Sequence, residues 1–91
     1  MSFEVRIQTE DFDLSREVAQ LRLKHSSVGA VCAFVGTVRD RNGKDQVSVM
    51  ELEHYPGMTE KSIARMMEEA HQRFDIISSK VIHRTGILNP L

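Results

Sequence analysis

Ala30-Val31-Cys32-Ala33-Phe34-Val35-Gly36-Thr37-Val38 is a nearly continuous apolar run, and its reading decides the fold. Its length is short for a helix, and its β-branched content favours a buried strand. Gly36 inside it suggests a bulge, or a point where something approaches the backbone closely. Arg39-Asp40-Arg41-Asn42-Gly43-Lys44-Asp45 follows, and Asn-Gly suits a tight hairpin turn because both positions reach positive φ at low cost. Residues 46–54, with Val47, Val49 and Leu52, then read as the partner strand. The expected product is an antiparallel ribbon whose tip carries Arg39, Arg41 and Lys44 beside Asp40 and Asp45.

Outward from that ribbon the pattern alternates between the two periods. Phe3, Val5 and Ile7 alternate with Glu4, Arg6 and Gln8, the signature of a half-buried strand. Asp13 is placed to cap a helix over Leu14 to Lys24, with Leu14, Val18 and Leu21 on one stripe. On the other side, Tyr55-Pro56-Gly57 ends the partner strand and Thr59 is placed to cap a helix over residues 60–73. Ile63, Met66, Met67, Ala70 and Phe74 recur there at helical spacing, which predicts one apolar face. Arg65 with Glu69, and Glu69 with Arg73, stand four apart on the exposed side. Residues 76–83 read as a last strand. The order is β-α-β-β-α-β, which predicts an α+β fold with one layer of helices on a largely antiparallel sheet. Asn89-Pro90 is a turn signal, and Leu91 stops where another strand would begin, so the C-terminal part of the domain is expected to be missing.

Composition bounds the function. Ninety-one residues make a single small domain, which gains stability from a partner. Twelve basic against thirteen acidic side chains give a net charge of −1, without the basic excess a nucleic-acid binder needs. A single cysteine and no secretory leader point to a reducing, cytoplasmic setting. No apolar run approaches a membrane span of roughly 18 residues.

Local motifs take the chemistry only a short way. Gly36 to Lys44 has the wrong spacing for a phosphate-binding loop, and Asp45 replaces the hydroxyl that the motif needs. Arg39 at the strand end is still well placed to receive an anion, although a solvated hairpin tip explains the same residues. His25, His54, His71 and His83 lack paired ligand spacing, so no metal site is expected. Cys32 inside an apolar run reads as a neutral, buried thiol. At this level the chain is an α+β domain with a candidate anion site at one strand end.

Three stretches resemble the family of molybdopterin synthase large (catalytic) subunits. Gly29-Ala30-Val31-Cys32-Ala33-Phe34-Val35-Gly36-Thr37-Val38-Arg39 is similar to that family's Gly-Ala…Phe-x-Gly-x-Val-Arg signature. Leu52-Glu53-His54-Tyr55-Pro56-Gly57-Met58 matches a family segment at seven consecutive positions, and His83-Arg84-Thr85-Gly86-Ile87-Leu88 is similar to its His-Arg-x-Gly-x-Leu run. The resemblance implies an α/β hammerhead-like fold and a large-subunit homodimer with a small ubiquitin-like subunit at each end. It also implies sulfur transfer from the small subunit's C-terminal Gly-Gly thiocarboxylate to cyclic pyranopterin monophosphate. That reaction builds the molybdopterin dithiolene in molybdenum cofactor biosynthesis, with no metal ion and no cofactor. On this resemblance Thr37, Val38 and Arg39 fall on the substrate-contacting segment and Phe34 on the pocket wall. The family's reacting lysines lie beyond Leu91, so no catalytic residue is expected in this chain and the 91 residues are not expected to turn over alone. The alternative is a non-catalytic dimerisation or partner-binding module of the same family. A generic anion-binding α+β domain is a third reading.

Overall fold

The computed structural model of the chain describes residues 2–38, 41–42, 45–46, 50–52 and 57–88. Their frame is one parallel ladder. β1 (Ser2–Gln8) pairs with β5 (Ser78–Arg84), in register from Ser2 opposite Ser78 to Gln8 opposite Arg84. Side chains alternate across a strand, so Phe3, Val5 and Ile7 share a face with Ser79, Val81 and His83. Glu4, Arg6 and Gln8 share the other face with Lys80, Ile82 and Arg84.

The two helices take opposite faces of this ladder. α1 (Leu14–Lys24) is the expected helix: the Asp13 carboxylate accepts from the Arg16 amide at 3.2 Å, satisfying one otherwise unpaired donor. It sits over the charged face, where Glu17 meets Arg6 and Lys80. α2 (Met58–Arg73) covers the apolar face of β1. There the His71 and Phe3 rings lie 5.9 Å apart, and His71 Nε2 is 2.8 Å from the Ser79 hydroxyl. A single helical layer is therefore replaced by a layer on each side, because the faces of β1 differ in chemistry.

Four short strands complete the described elements. β2 (Arg41–Asn42) pairs antiparallel with β3 (Asp45–Gln46), Asn42 opposite Asp45, and Gly43 of the expected turn lies outside the described residues. β4 (Met50–Leu52) pairs antiparallel with β6 (Gly86–Leu88). Gly86 has φ +89°, a left-handed conformation that separates β5 from β6 and that a side chain would strain. The end of β1 is clamped just before that bend. The Thr85 amide donates to the Gln8 carbonyl at 2.9 Å, and Arg84 donates through Nε and Nη2 to the Thr9 carbonyl at 3.2 and 2.8 Å.

The α+β class stands, and several expectations are corrected within it. Two of the three ladders among the described residues are antiparallel, yet the longest is parallel, since chain carrying both helices separates β1 from β5 and lets them run the same way. Residues 30–38 form no strand. Residues 29–37 are exposed, and no backbone–backbone hydrogen bond links 29–38 to another described residue. Cys32 is accordingly exposed rather than buried. A Cβ at Gly36 would meet nothing within 4 Å, so no described residue approaches there. The cap of α2 is Gly57, at φ +84°, and Thr59 falls inside the first turn. Met67 is 6% exposed, whereas Met66 is 64% exposed and Phe74 also faces solvent, with Arg73 5.5 Å over its ring. Arg65, Glu69 and Arg73 form no ion pair with one another among the described residues.

Met67 is thus the anchor of α2. Met67→Ala is expected to lower stability by about 2–3 kcal/mol through lost burial and a residual cavity. Met66→Ala should stay within about 0.5 kcal/mol. Urea midpoints of the two variants check the difference.

Candidate functional site

The side of the ladder under α1 combines an ion network with an apolar groove. Glu4 and Arg6 are two apart on β1 and so share a face, with Lys80 in register opposite Glu4. Glu17, on the first turn of α1, reaches down between them. Its carboxylate is 3.0 Å from Arg6 Nη1 and 3.2 Å from Lys80 Nζ. Glu4 closes the circuit at 3.2 Å from Arg6 Nη2 and 3.6 Å from Lys80 Nζ. The Lys80 and Glu17 side chains are only 6% and 12% exposed, so this pair is well shielded, whereas Arg6 and Glu4 are open to solvent.

The network sets the charge states. The Lys80 hydrogen bond, followed by that of Arg6, holds the Glu17 carboxyl below the usual glutamate range despite the opposing effect of burial. Burial on its own would raise Glu4, but Arg6 and Lys80 together bring it below its ordinary value. Hydrogen bonds to Glu17 and then Glu4 raise the Arg6 guanidinium further. The shifts of Glu4, Glu17 and Arg6 all favour their charged forms.

Beside this network lies a groove of about 450 Å³ between the α1 stripe of Leu14, Val18 and Leu21, residues 31–36, and Lys80 to Ile82. A second groove of about 470 Å³ continues it between residues 28–32 and 75–80. The first groove is mainly aliphatic and its Glu17–Lys80 pair is internally satisfied, while Arg22 and Asp75 border the second. Such a trough suits an extended apolar occupant better than a highly charged one. Among the described residues no group of three or more His, Cys, Asp or Glu is placed to hold a metal ion, and no helix is long and apolar enough to cross a membrane.

The expected site residues are placed unevenly. Phe34 stands at the groove rim, 96% exposed. Thr37 is exposed and Val38 half-buried, both beyond the groove in the same irregular segment. Arg39 lies outside the described residues. The structure therefore brings Phe34 to the groove and leaves its relation to Arg39 undescribed. Sequence reasoning missed the Glu17–Lys80 pair, whose members are 63 residues apart. A partial signal was present, since Glu4 and Arg6 occupy the face of β1 opposite Phe3, Val5 and Ile7.

A sequence model of the family described as MoaE protein matches residues 7–91. The "Molybdopterin synthase catalytic subunit" of Ralstonia nicotianae is 55% identical over 86 residues, covering 94% of this chain and 49% of that protein. The protein of the same name from Pseudomonas aeruginosa is 43% identical over 86 residues, covering 94% of this chain and 57% of that protein. Among solved structures, a "Molybdopterin biosynthesis MoaE protein" from Burkholderia ambifaria superposes with a TM-score of 0.86 at 51% identity. That match covers 97% of this chain and 56% of the other. The chain spans about half the length of the relatives it matches.

The ion network generates a pH dependence. Glu4 and Glu17 have folded-state values below the ordinary 4.5, so their contribution is complete above about pH 4.5. It is lost as pH falls through the lowered folded-state values. Urea midpoints should therefore drop on acidification below about pH 4.5. Glu17→Gln should cost on the order of 1–2 kcal/mol at pH 7 and flatten that acid limb.

Proposed function

Because the chain belongs to the MoaE protein family, we propose that it is the part of a molybdopterin synthase catalytic subunit that forms the substrate-side wall. The observation that carries this reading is the family match across residues 7–91, together with 55% identity to a protein of that name. In this role the chain serves sulfur transfer from the thiocarboxylated C-terminus of a small ubiquitin-like subunit to cyclic pyranopterin monophosphate. The large subunit acts as a homodimer in the cytoplasm, flanked by two small subunits. The 91 residues make one incomplete domain of it.

The site residues have distinct physical tasks in this proposal. Phe34 at the groove rim offers an apolar face to the pterin side of the pocket. Thr37 and Val38 supply backbone donors and shape to the segment that meets the substrate. Arg39 follows directly and gives the cyclic phosphate a guanidinium, whose planar fork suits a two-pronged contact.

Titration of the pterin substrate into a full-length relative carrying the matched residues tests the assignment. A charge-assisted hydrogen bond is worth roughly 1.5–3 kcal/mol, so Arg39→Ala should weaken binding about tenfold to a hundredfold. Arg39→Lys should recover part of the loss, because an ammonium keeps the charge and loses the geometry. Arg41→Ala, nearer the hairpin turn, should cost far less. Equal losses at Arg39 and Arg41 would replace the strand-end site with a diffuse basic patch.

A further inference from the structure

Glu17 divides α1 lengthwise. Helical geometry puts Leu14, Val18 and Leu21 on one flank of it, and Asp13, Arg16 and Gln20 on the other. The apolar flank borders the groove described above. The polar flank stands over Arg6 and Gln8 of β1, across a crevice of about 560 Å³ that Asp11 and Phe12 also line. No residue of α1 is buried, and within it Glu17, Val18 and Leu21 alone are half-buried. Of these three, Glu17 is the one with directional bonds to the ladder, at 3.0 Å to Arg6 and 3.2 Å to Lys80.

The chain on either side of α1 adds little hold. Before the helix, the Arg84 clamp fixes the backbone as far as Thr9. Gln8 Nε2 then donates to the Glu10 and Asp11 carbonyls at 2.8 and 3.4 Å, and Arg84 Nη1 stands 3.7 Å from the Asp11 carboxylate. These contacts are exposed. After the helix, residues 26–38 make a single backbone hydrogen bond to a described residue, from the Val28 amide to the His25 carbonyl at 3.2 Å. α1 is therefore anchored to the ladder through one side chain, with a loosely held segment at each end.

We propose that α1 is an electrostatic latch, a helix that lifts from the β1–β5 ladder as a unit when Glu17 releases Arg6 and Lys80, while the ladder and α2 stay assembled. Among the described residues, Glu17 faces Glu4 and Arg6 from β1 and Lys80 from β5, with Asp11, Asp13 and Arg16 along its polar flank. Both cations of the network sit on one face of the ladder, so release converts a neutralised surface into one that presents Arg6 and Lys80. α2 is held by Met67 and by the packing of His71 on Phe3, which a change of ionic strength leaves in place. The inference concerns α1 alone and does not rest on the substrate assignment.

Amide hydrogen exchange on the 91-residue chain at pH 7, followed through a series of low urea concentrations, tests the latch. Amides of residues 17–24 should exchange at least about tenfold faster than those of β1 and β5, through an opening that depends only weakly on urea. Merging of α1 with the ladder on one steep urea dependence would show a single cooperative unit and overturn the proposal. The sign of the salt effect identifies the force. Raising sodium chloride from about 0.05 to 0.5 M should speed exchange of residues 17–24 about threefold, because screening weakens ion pairs. Unchanged or slower exchange overturns the latch, since apolar contact is not weakened by screening. Glu17→Gln should speed exchange in α1 about tenfold and remove most of the salt response, whereas Glu10→Gln should leave both as they are. Equal effects of the two substitutions would also sink it. If the 91 residues do not fold in isolation, the same series is run with residues 1–91 in place of the matched stretch of the Ralstonia nicotianae relative, with the same expected and overturning results.

Discussion

Seven register pairs between Ser2–Gln8 and Ser78–Arg84 hold opposite ends of the described chain side by side. Every other described long element takes its position from that ladder. Closing so long an intervening loop costs conformational entropy that grows only slowly with length, so a seven-residue ladder can offset it. The clamp at its end adds orientation. With Arg84 donating twice to the Thr9 carbonyl and Thr85 to Gln8, the chain leaves β1 in a defined direction, and Gly86 turns it out of β5 immediately afterwards.

The ladder's two faces hold their helices by different forces. α2 is attached through Met67, Phe3 and the His71–Ser79 contact, an arrangement in which burial and short-range packing dominate. α1 has no buried residue, and Glu17 ties it to Arg6 and Lys80. Shielded ion pairs carry a desolvation cost that offsets much of their attraction, and the exposed members are further weakened by salt. The α1 side is therefore the softer of the two. It is also the side on which the apolar groove and Phe34 lie. The segment that carries Phe34, Thr37 and Val38 runs along one wall of that groove, with no backbone hydrogen bond to another described residue.

The sequence by itself determined the local elements. The alternation of Phe3, Val5 and Ile7 marked β1, Asp13 marked the start of α1, and Asn42-Gly43 marked the hairpin, because each depends on neighbours within a few residues. The family was legible too, since Leu52-Glu53-His54-Tyr55-Pro56-Gly57-Met58 is a contiguous string. Tertiary structure alone decided which strands pair, which helix covers which face, and whether an apolar run is buried. Residues 30–38 show why. Their composition suits a strand interior, yet a strand exists only where another backbone accepts its hydrogen bonds, and no described residue does so. The site divides along the same line. Phe34 could be named from its motif, whereas Glu17 and Lys80, 63 residues apart, become partners only when β1 and β5 have paired and α1 lies across them.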